Sequence, residues 1–230
     1  MNIIWLGHGS FRLEIEDQVL LIDPWLEGNP MMPNDRQAEA LEGATHFLMT
    51  HGHFDHVTGV AELAAKHDLP VSGMFELINL LEAQGAPAGH AFNKGGTIAL
   101  GGVEVSLVPA SHSAGMKVGD RAVYAGTECG LVIRGDGHCI YFSGDTTLMA
   151  DMAWIGDYYK PDIGMLCAGG YYTMDMKMAA YAAKTYFDFK TVIPMHYRTF
   201  PALEQSAEDL AAGLPGVTVI EPQVLEPIKI

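Results

Sequence analysis

The heptapeptide Thr50-His51-Gly52-His53-Phe54-Asp55-His56 carries three imidazoles and a carboxylate within six consecutive positions. Neutral imidazole and ionised carboxylate are ligands for zinc and for other first-row metals. Groups this closely spaced cannot all point one way from a regular helix or strand. They suit a loop, where an irregular backbone aims them at a common centre, and Gly52 would let the chain turn sharply between the first two histidines. Any one of these histidines alone would read as part of a polar surface loop; the set reads as metal chemistry.

The elements that must position this loop follow from the apolar pattern. Residues 3–6, 11–15 and 19–22 are short runs of branched and aromatic residues separated by turn formers, which predicts a β-meander. A helix is expected near 35–42, a buried strand over 45–49, a helix over 57–67, a strand at Val71 and a helix over 75–83. The histidine loop therefore joins a strand ending near Met49 to a helix beginning near Val57. A second pass has strands over 97–100, 103–108, 122–125, 131–133 and 139–142, with Gly101-Gly102 as a hairpin turn. Helices near 147–155, 174–187 and 202–212 alternate there with strands at 163–166 and 191–193. No linker divides the passes, so the expectation is one domain with two similar halves, roughly 1–95 and 96–230. Strand clusters followed by helices in each half suggest two sheets face to face with helices outside.

The motif His51-x-His53-x-Asp55-His56 resembles the hallmark of the metallo-β-lactamase fold superfamily. That family has three further ligand positions, each after a strand. They match His112 in Pro109-Ala110-Ser111-His112-Ser113, Asp145 in Ser143-Gly144-Asp145-Thr146, and His196 in Pro194-Met195-His196-Tyr197. The resemblance covers most of the chain and implies an α/β fold of the α+β kind, a four-layer αββα sandwich of two mixed sheets. It also implies one metal held by His51, His53 and His112, a second held by Asp55, His56 and His196, and Asp145 bridging them. Two divalent ions, with zinc first and manganese, iron or nickel also suited, would share a water and make hydroxide available at neutral pH. The bridging hydroxide would attack a small ester, lactone or phosphodiester.

Asp23, in Asp23-Pro24 after the third strand, matches the family's supporting aspartate and would orient a ligand histidine by hydrogen bonding. Gly7-His8-Gly9-Ser10 looks like the opening of the compact branch of metal-dependent hydrolases similar to ascorbate-phosphate lactonases, with His8 at the pocket rim. Asp55 and His8 are the candidate catalytic side chains, and Tyr197 and Tyr172 the candidate substrate contacts. His46, His67, His90 and His138 lack a ligand-like setting. A glyoxalase-type thioesterase is the main alternative; a diiron redox protein and a non-catalytic metal-binding module are two others.

Composition narrows the partners. Against 13 Lys+Arg stand 28 Asp+Glu, a formal net charge of −15 with the 10 histidines neutral. A nucleic acid or an anionic membrane is a poor match for that excess, since phosphate contacts need clustered basic residues. No apolar run approaches the roughly 18 to 20 residues that cross a bilayer. Cys129, Cys139 and Cys167 form no C-x-x-C pair, and Met1 leads straight into a strand-like run without a signal-peptide pattern. The expectation is a cytoplasmic enzyme with a small-molecule substrate, and from the resemblance a homo-oligomer.

Overall fold

Phe11, Leu13 and Ile15 alternate with Ser10, Arg12 and Glu14, and the strand they form divides the two sets between two environments. The Phe11 ring meets Phe142 of the opposite sheet, with centroids 6.0 Å apart. Arg12 points the other way and donates to the carbonyls of Ala40 and Glu42 at 3.0 and 2.5 Å, at the C-terminal end of an outer helix. A sheet with one face on a second sheet and the other under helices is thus written into a six-residue strand.

The computed structural model describes all 230 residues. The first sheet contains β1 (Asn2–Gly7), β2 (Ser10–Ile15), β3 (Gln18–Ile22), β4 (His46–Met49), β5 (Val71–Met74) and β6 (Ala88–Phe92), side by side in chain order. Next come β7 (Thr97–Leu100) and β8 (Val103–Pro109), then a separate hairpin, β9 (Met116–Val118) with β10 (Arg121–Val123). The second sheet is completed by β11 (Cys129–Gly135), β12 (His138–Phe142), β13 (Ile163–Cys167), β14 (Thr191–Met195) and β15 (Thr218–Val219), in the order β15-β14-β13-β12-β11-β8-β7. The final strand, β16 (Pro227–Lys229), returns to the first sheet and pairs antiparallel with β1.

Helices α1 (Gln37–Leu41), α2 (Phe54–Val57), α3 (Val60–His67) and α4 (Phe75–Ala83) belong to the first half, and α5 (Met152–Tyr159), α6 (Met176–Tyr186) and α7 (Glu208–Gly213) to the second. The α4 helix packs on β5 and β6, and α6 packs on β13. One cluster of 63 buried apolar residues runs through both sheets. This is the expected αββα sandwich, except that the last strand crosses back to the first sheet, so the halves do not separate cleanly at residue 95.

Three helices differ from expectation, all beside the site. The helix expected over 57–67 is broken at Gly59, whose φ of +74° ends a short first turn that already includes Asp55 and His56. Residues 147–151 are not helical: Thr147 N bonds to Ser111 O at 3.0 Å, and Thr146 Oγ1 accepts from Ser111 N at 3.0 Å, tying this stretch to the His112 loop. The helix expected over 202–212 begins only at Glu208, because Glu204 N is engaged by Gly169 O at 2.8 Å. In each case backbone that periodicity assigns to a helix is used to build site loops.

Candidate metal centre

The strands β1, β3 and β4 run in one direction in their sheet, as do β8, β12 and β14 in theirs. His8, Asp23, His51, His112, Asp145 and His196 each lie within three residues of the C-terminal end of one of these six strands. Six strand ends therefore deliver polar side chains to one edge of the sandwich. The backbone is forced there: His8, Asp23 and His196 have φ of 55°, 44° and 59°, a left-handed conformation that costs non-glycine residues of order 1–3 kcal/mol each. Gly52 has an ordinary φ, so the turn expected of it is not its role. A Cβ there would lie 3.0 Å from Ala114 O and 3.0 Å from Ala125 Cβ, and what the position requires is room for the loop that packs on it.

Six of the seven expected ligands converge as two clusters, the second of which also takes in His8. Within each, one donor atom per residue lies within 4.8 Å of the others: His51, His53 and His112 in the first, and His8, Asp55, His56 and His196 in the second. Between them sits Asp145 Oδ2. It is 3.9 Å from His51 Nε2 and 3.6 Å from His112 Nε2 on one side, and 3.5 Å from His56 Nε2 and 3.0 Å from His196 Nε2 on the other.

Asp23 sets the direction in which two of these rings present their lone pairs. It is fully buried, and its carboxylate accepts from Thr50 N at 2.8 Å, Thr50 Oγ1 at 2.5 Å and His56 Nδ1 at 2.8 Å. With the Thr50 hydroxyl proton committed to Asp23, that oxygen accepts from His51 Nδ1 at 3.0 Å. Nδ1–H on both rings is thereby fixed, and both Nε2 atoms face the centre. A third possible grouping, Asp23 with His51 and His56, is spent on these hydrogen bonds rather than left open for a metal. Gly9 makes the packing possible, since a Cβ there would come within 2.9 Å of His56 Cε1.

Electrostatics separates the clusters. Burial, and then the neighbouring His56, hold His51 well below the ordinary histidine range; burial and His112 lower His53; burial lowers His112 despite Asp145. These three are neutral at pH 7. Burial opposes charge on His56 and His196 as well, but Asp145 with Asp23 raises His56, and Asp145 with Asp55 raises His196 to about 9. Burial likewise opposes charge on the carboxylates, yet His196 and His56 hold Asp145 far below its usual range, and His196 and His8 do the same for Asp55.

The residues fit a metal. His51 Nε2, His56 Nε2 and Asp145 Oδ1 are buried without a hydrogen-bond partner, a costly arrangement for polar atoms inside a protein unless a ligand takes the lone pairs. A cavity of about 480 Å³ opens onto the centre, lined by His53, Asp55, His112, Asp145 and His196 together with Phe54, Ser113, Tyr172 and Phe200.

Two expectations need correcting. His8 is not at the rim: it is fully buried, with Nε2 2.9 Å from Asp55 Oδ2 and Nδ1 2.8 Å from Thr199 Oγ1. Its ring lies against that of His196, centroids 3.9 Å apart. Tyr197 does not reach the cavity either. With His196 turned into the centre, its neighbour is fully buried and stacks on Trp5 at 5.5 Å. Tyr172 does line the cavity. Sequence reasoning missed Thr50, Thr199, Phe54 and Phe200. Thr50 and Phe54 stood inside the motif, where position next to a ligand was the available signal.

A family description, beta-lactamase superfamily domain, matches residues 18–197. The chain belongs to the metallo-β-lactamase fold superfamily. A UPF0173 metal-dependent hydrolase of Cereibacter sphaeroides is 58% identical to this superfamily member over 230 residues, all of both chains. Igni18, a metallo hydrolase from the archaeon Ignicoccus hospitalis, has a similar structure, with TM-score 0.83 and 29% identity over 99% of this chain and 97% of that one. An isothiocyanate hydrolase from Delia radicum gut bacteria shares the fold at TM-score 0.78 and 20% identity, over 100% of this chain and 99% of its own. The protein is a metal-dependent hydrolase of this fold. No helix is long and apolar enough to cross a membrane.

Proposed function

We propose that His51, His53 and His112 hold one divalent ion, that Asp55, His56 and His196 hold a second, and that Asp145 bridges them. The chain would then hydrolyse a small carboxylic ester, lactone or phosphodiester. The observation that carries this reading is the position of Asp145 Oδ2, within 3.9 Å of nitrogens from both clusters. Zinc suits the nitrogen and carboxylate set, as do manganese, iron and nickel. When bound, such a pair polarises the substrate oxygen and lowers the pKa of a shared water towards about 7.

The chain's own residues do the rest. Asp23 and Thr50 keep the His51 and His56 lone pairs aimed at the centre, so little reorganisation accompanies binding. Asp55 is held ionised by His196 and His8, which suits a ligand better than a proton carrier. The cavity that opens onto the centre is where substrate would meet it. Hydrolysis of an ester then adds one water: its oxygen bonds the acyl carbon, the acyl–oxygen bond breaks, the leaving oxygen gains a proton, and the product acid releases one to solvent. The acid excess and the free cysteines favour a small-molecule substrate met in a reducing cytoplasm.

The test is a panel of lactones, phosphodiesters and thioesters assayed with chelated and metal-replete protein. Activity that disappears on chelation, returns with metal, and is abolished by Asp55→Ala and by His112→Ala supports the reading. Activity that survives chelation and both substitutions overturns it.

A further inference from the structure

Of the four cavity-lining residues outside the expected ligand set, Phe54, Tyr172 and Phe200 are aromatic, the fourth is Ser113, and none is basic. Phe54 follows His53 and precedes Asp55, and 59% of it is exposed, an unusual setting for phenylalanine beside a polar centre. It is nonetheless held in place. Its ring stands edge-on to Trp25 at 5.9 Å, and Phe200 lies against the same indole at 6.3 Å and 30°. Trp25 is itself only 4% exposed, so one buried ring braces two cavity-facing ones.

Tyr172 is also in the lining, 57% exposed and set against Tyr171 at 4.7 Å. Tyr171 has a φ of 50°, and Tyr172 N bonds back to Gly170 O, so this loop displays its ring from a strained, tied backbone. Rigid aromatic walls bind flat apolar groups at little entropic cost.

Charge points the same way. Neither lysine nor arginine lines the cavity. Two divalent ions and a hydroxide set against Asp55 and Asp145 would leave about one net positive charge at the centre. On attack the hydroxide's negative charge passes to the carbonyl oxygen, so a neutral ester or lactone leaves that total unchanged. A phosphate monoester, or a substrate with a distal carboxylate, would bring further negative charge with no basic side chain to meet it.

Resting on the hydrolase reading above, we infer that the substrate is an uncharged carboxylic ester or lactone bearing a flat apolar group, which is held against Phe54 and Phe200. The cavity of about 480 Å³ accommodates one ring and a small acyl portion, at the low end of the range for small-molecule sites.

The experiment has a binding arm and a rate arm, both on the metal-loaded full chain. In saturation-transfer NMR, 2-phenylethanol should bind at least tenfold more tightly than 4-(2-hydroxyethyl)benzoate. Phe54→Ser and Phe200→Ser should each weaken that binding threefold or more, with circular dichroism unchanged. Equal binding of the two probes, or binding indifferent to both substitutions, overturns the inference. In the rate arm, kcat/KM for γ-phenyl-γ-butyrolactone should exceed that for γ-butyrolactone and for the 4-carboxyphenyl analogue about tenfold. Faster turnover of bis(4-nitrophenyl) phosphate than of any lactone overturns the inference while leaving the hydrolase reading intact. Phe54-dependent binding of the phenyl probe without any hydrolysis supports the aromatic pocket and counts against the hydrolase reading.

Discussion

His8 Nε2 lies 2.9 Å from Asp55 Oδ2, joining two residues 47 positions apart in the chain. Burial, with His196 and His56 nearby, lowers His8 to about 4 against the pull of Asp55, so the ring is neutral at pH 7. An ionised carboxylate only accepts, so the single ring proton sits on Nε2, and Nδ1 accepts from the Thr199 hydroxyl at 2.8 Å. Asp55 therefore sets the tautomer of His8, Thr199 satisfies the remaining ring nitrogen, and His8 in turn holds the orientation of Asp55.

His8→Ala is accordingly expected to weaken binding of the second metal ion about 10- to 100-fold, the usual cost of losing a partner behind a ligand. Thr199→Val should do the same to a smaller degree, because the ring and its bond to Asp55 stay while the buried Nδ1 lone pair loses its donor. Calorimetric metal titration checks both. Affinities equal to wild type in both variants would leave His8 with packing as its only function.

The shared position of Asp145 predicts different stoichiometries for different ligand losses. Metal-replete wild type should carry about two ions per chain. His112→Ala should retain about one, since its loss touches only the first cluster. Asp145→Ala should fall below one, because both clusters face its Oδ2 atom. Elemental analysis decides: under half an ion in the wild type would refute the dinuclear reading, and loss of only one ion in Asp145→Ala would refute the bridge.

The candidate ligands were legible in the sequence because each is a metal-binding residue type, four of them just past a strand end and the rest in the adjoining motif, in an order that matches a family pattern. What surrounds them was not, for physical reasons. His8 and Thr199 are 191 positions apart, and neither has a spacing that signals the other. Tyr197 adjoins a ligand yet faces Trp5, whereas Phe200 enters the cavity wall through a loop that periodicity read as the approach to a helix. The layers were readable from strands such as Ser10–Ile15, where period-two alternation separates sheet from helix contacts. The return of Pro227–Lys229 to β1 was not, because three residues with one proline carry no alternation to read.

Asp23 should matter to folding as well as to metal binding. It accepts three hydrogen bonds at full burial, and Asp23→Ala would leave Thr50 N without its partner and His56 Nδ1 without its carboxylate. Loss of one member of such a buried network costs of order 3 kcal/mol. Urea denaturation of the metal-free protein should show this as a lower midpoint at unchanged slope. Asp23→Asn keeps one acceptor oxygen and should lose less. Equal stability of the alanine variant and the wild type would contradict the arrangement described.

Metal binding should release protons, with an affinity that depends on pH in a predictable sense. In the metal-free chain His196 is raised to about 9, by Asp145 and Asp55 acting against burial, and His56 is raised as well. Both therefore carry protons at pH 7, and both must lose the Nε2 proton to become ligands. Affinity should climb as pH rises from 7 through about 9, where the His196 proton is lost. The stability of the metal-free protein moves the other way: a histidine raised on folding contributes fully below its unfolded value near 6.5, and that contribution is lost as pH rises through about 9. Warming the metal-free protein at pH 6.5 and pH 9 should show His196 contributing only at the lower value. Calorimetry at pH 7 in buffers of different ionisation enthalpy should count more than one proton released on filling the second cluster, and no net release would show that His56 and His196 are already neutral.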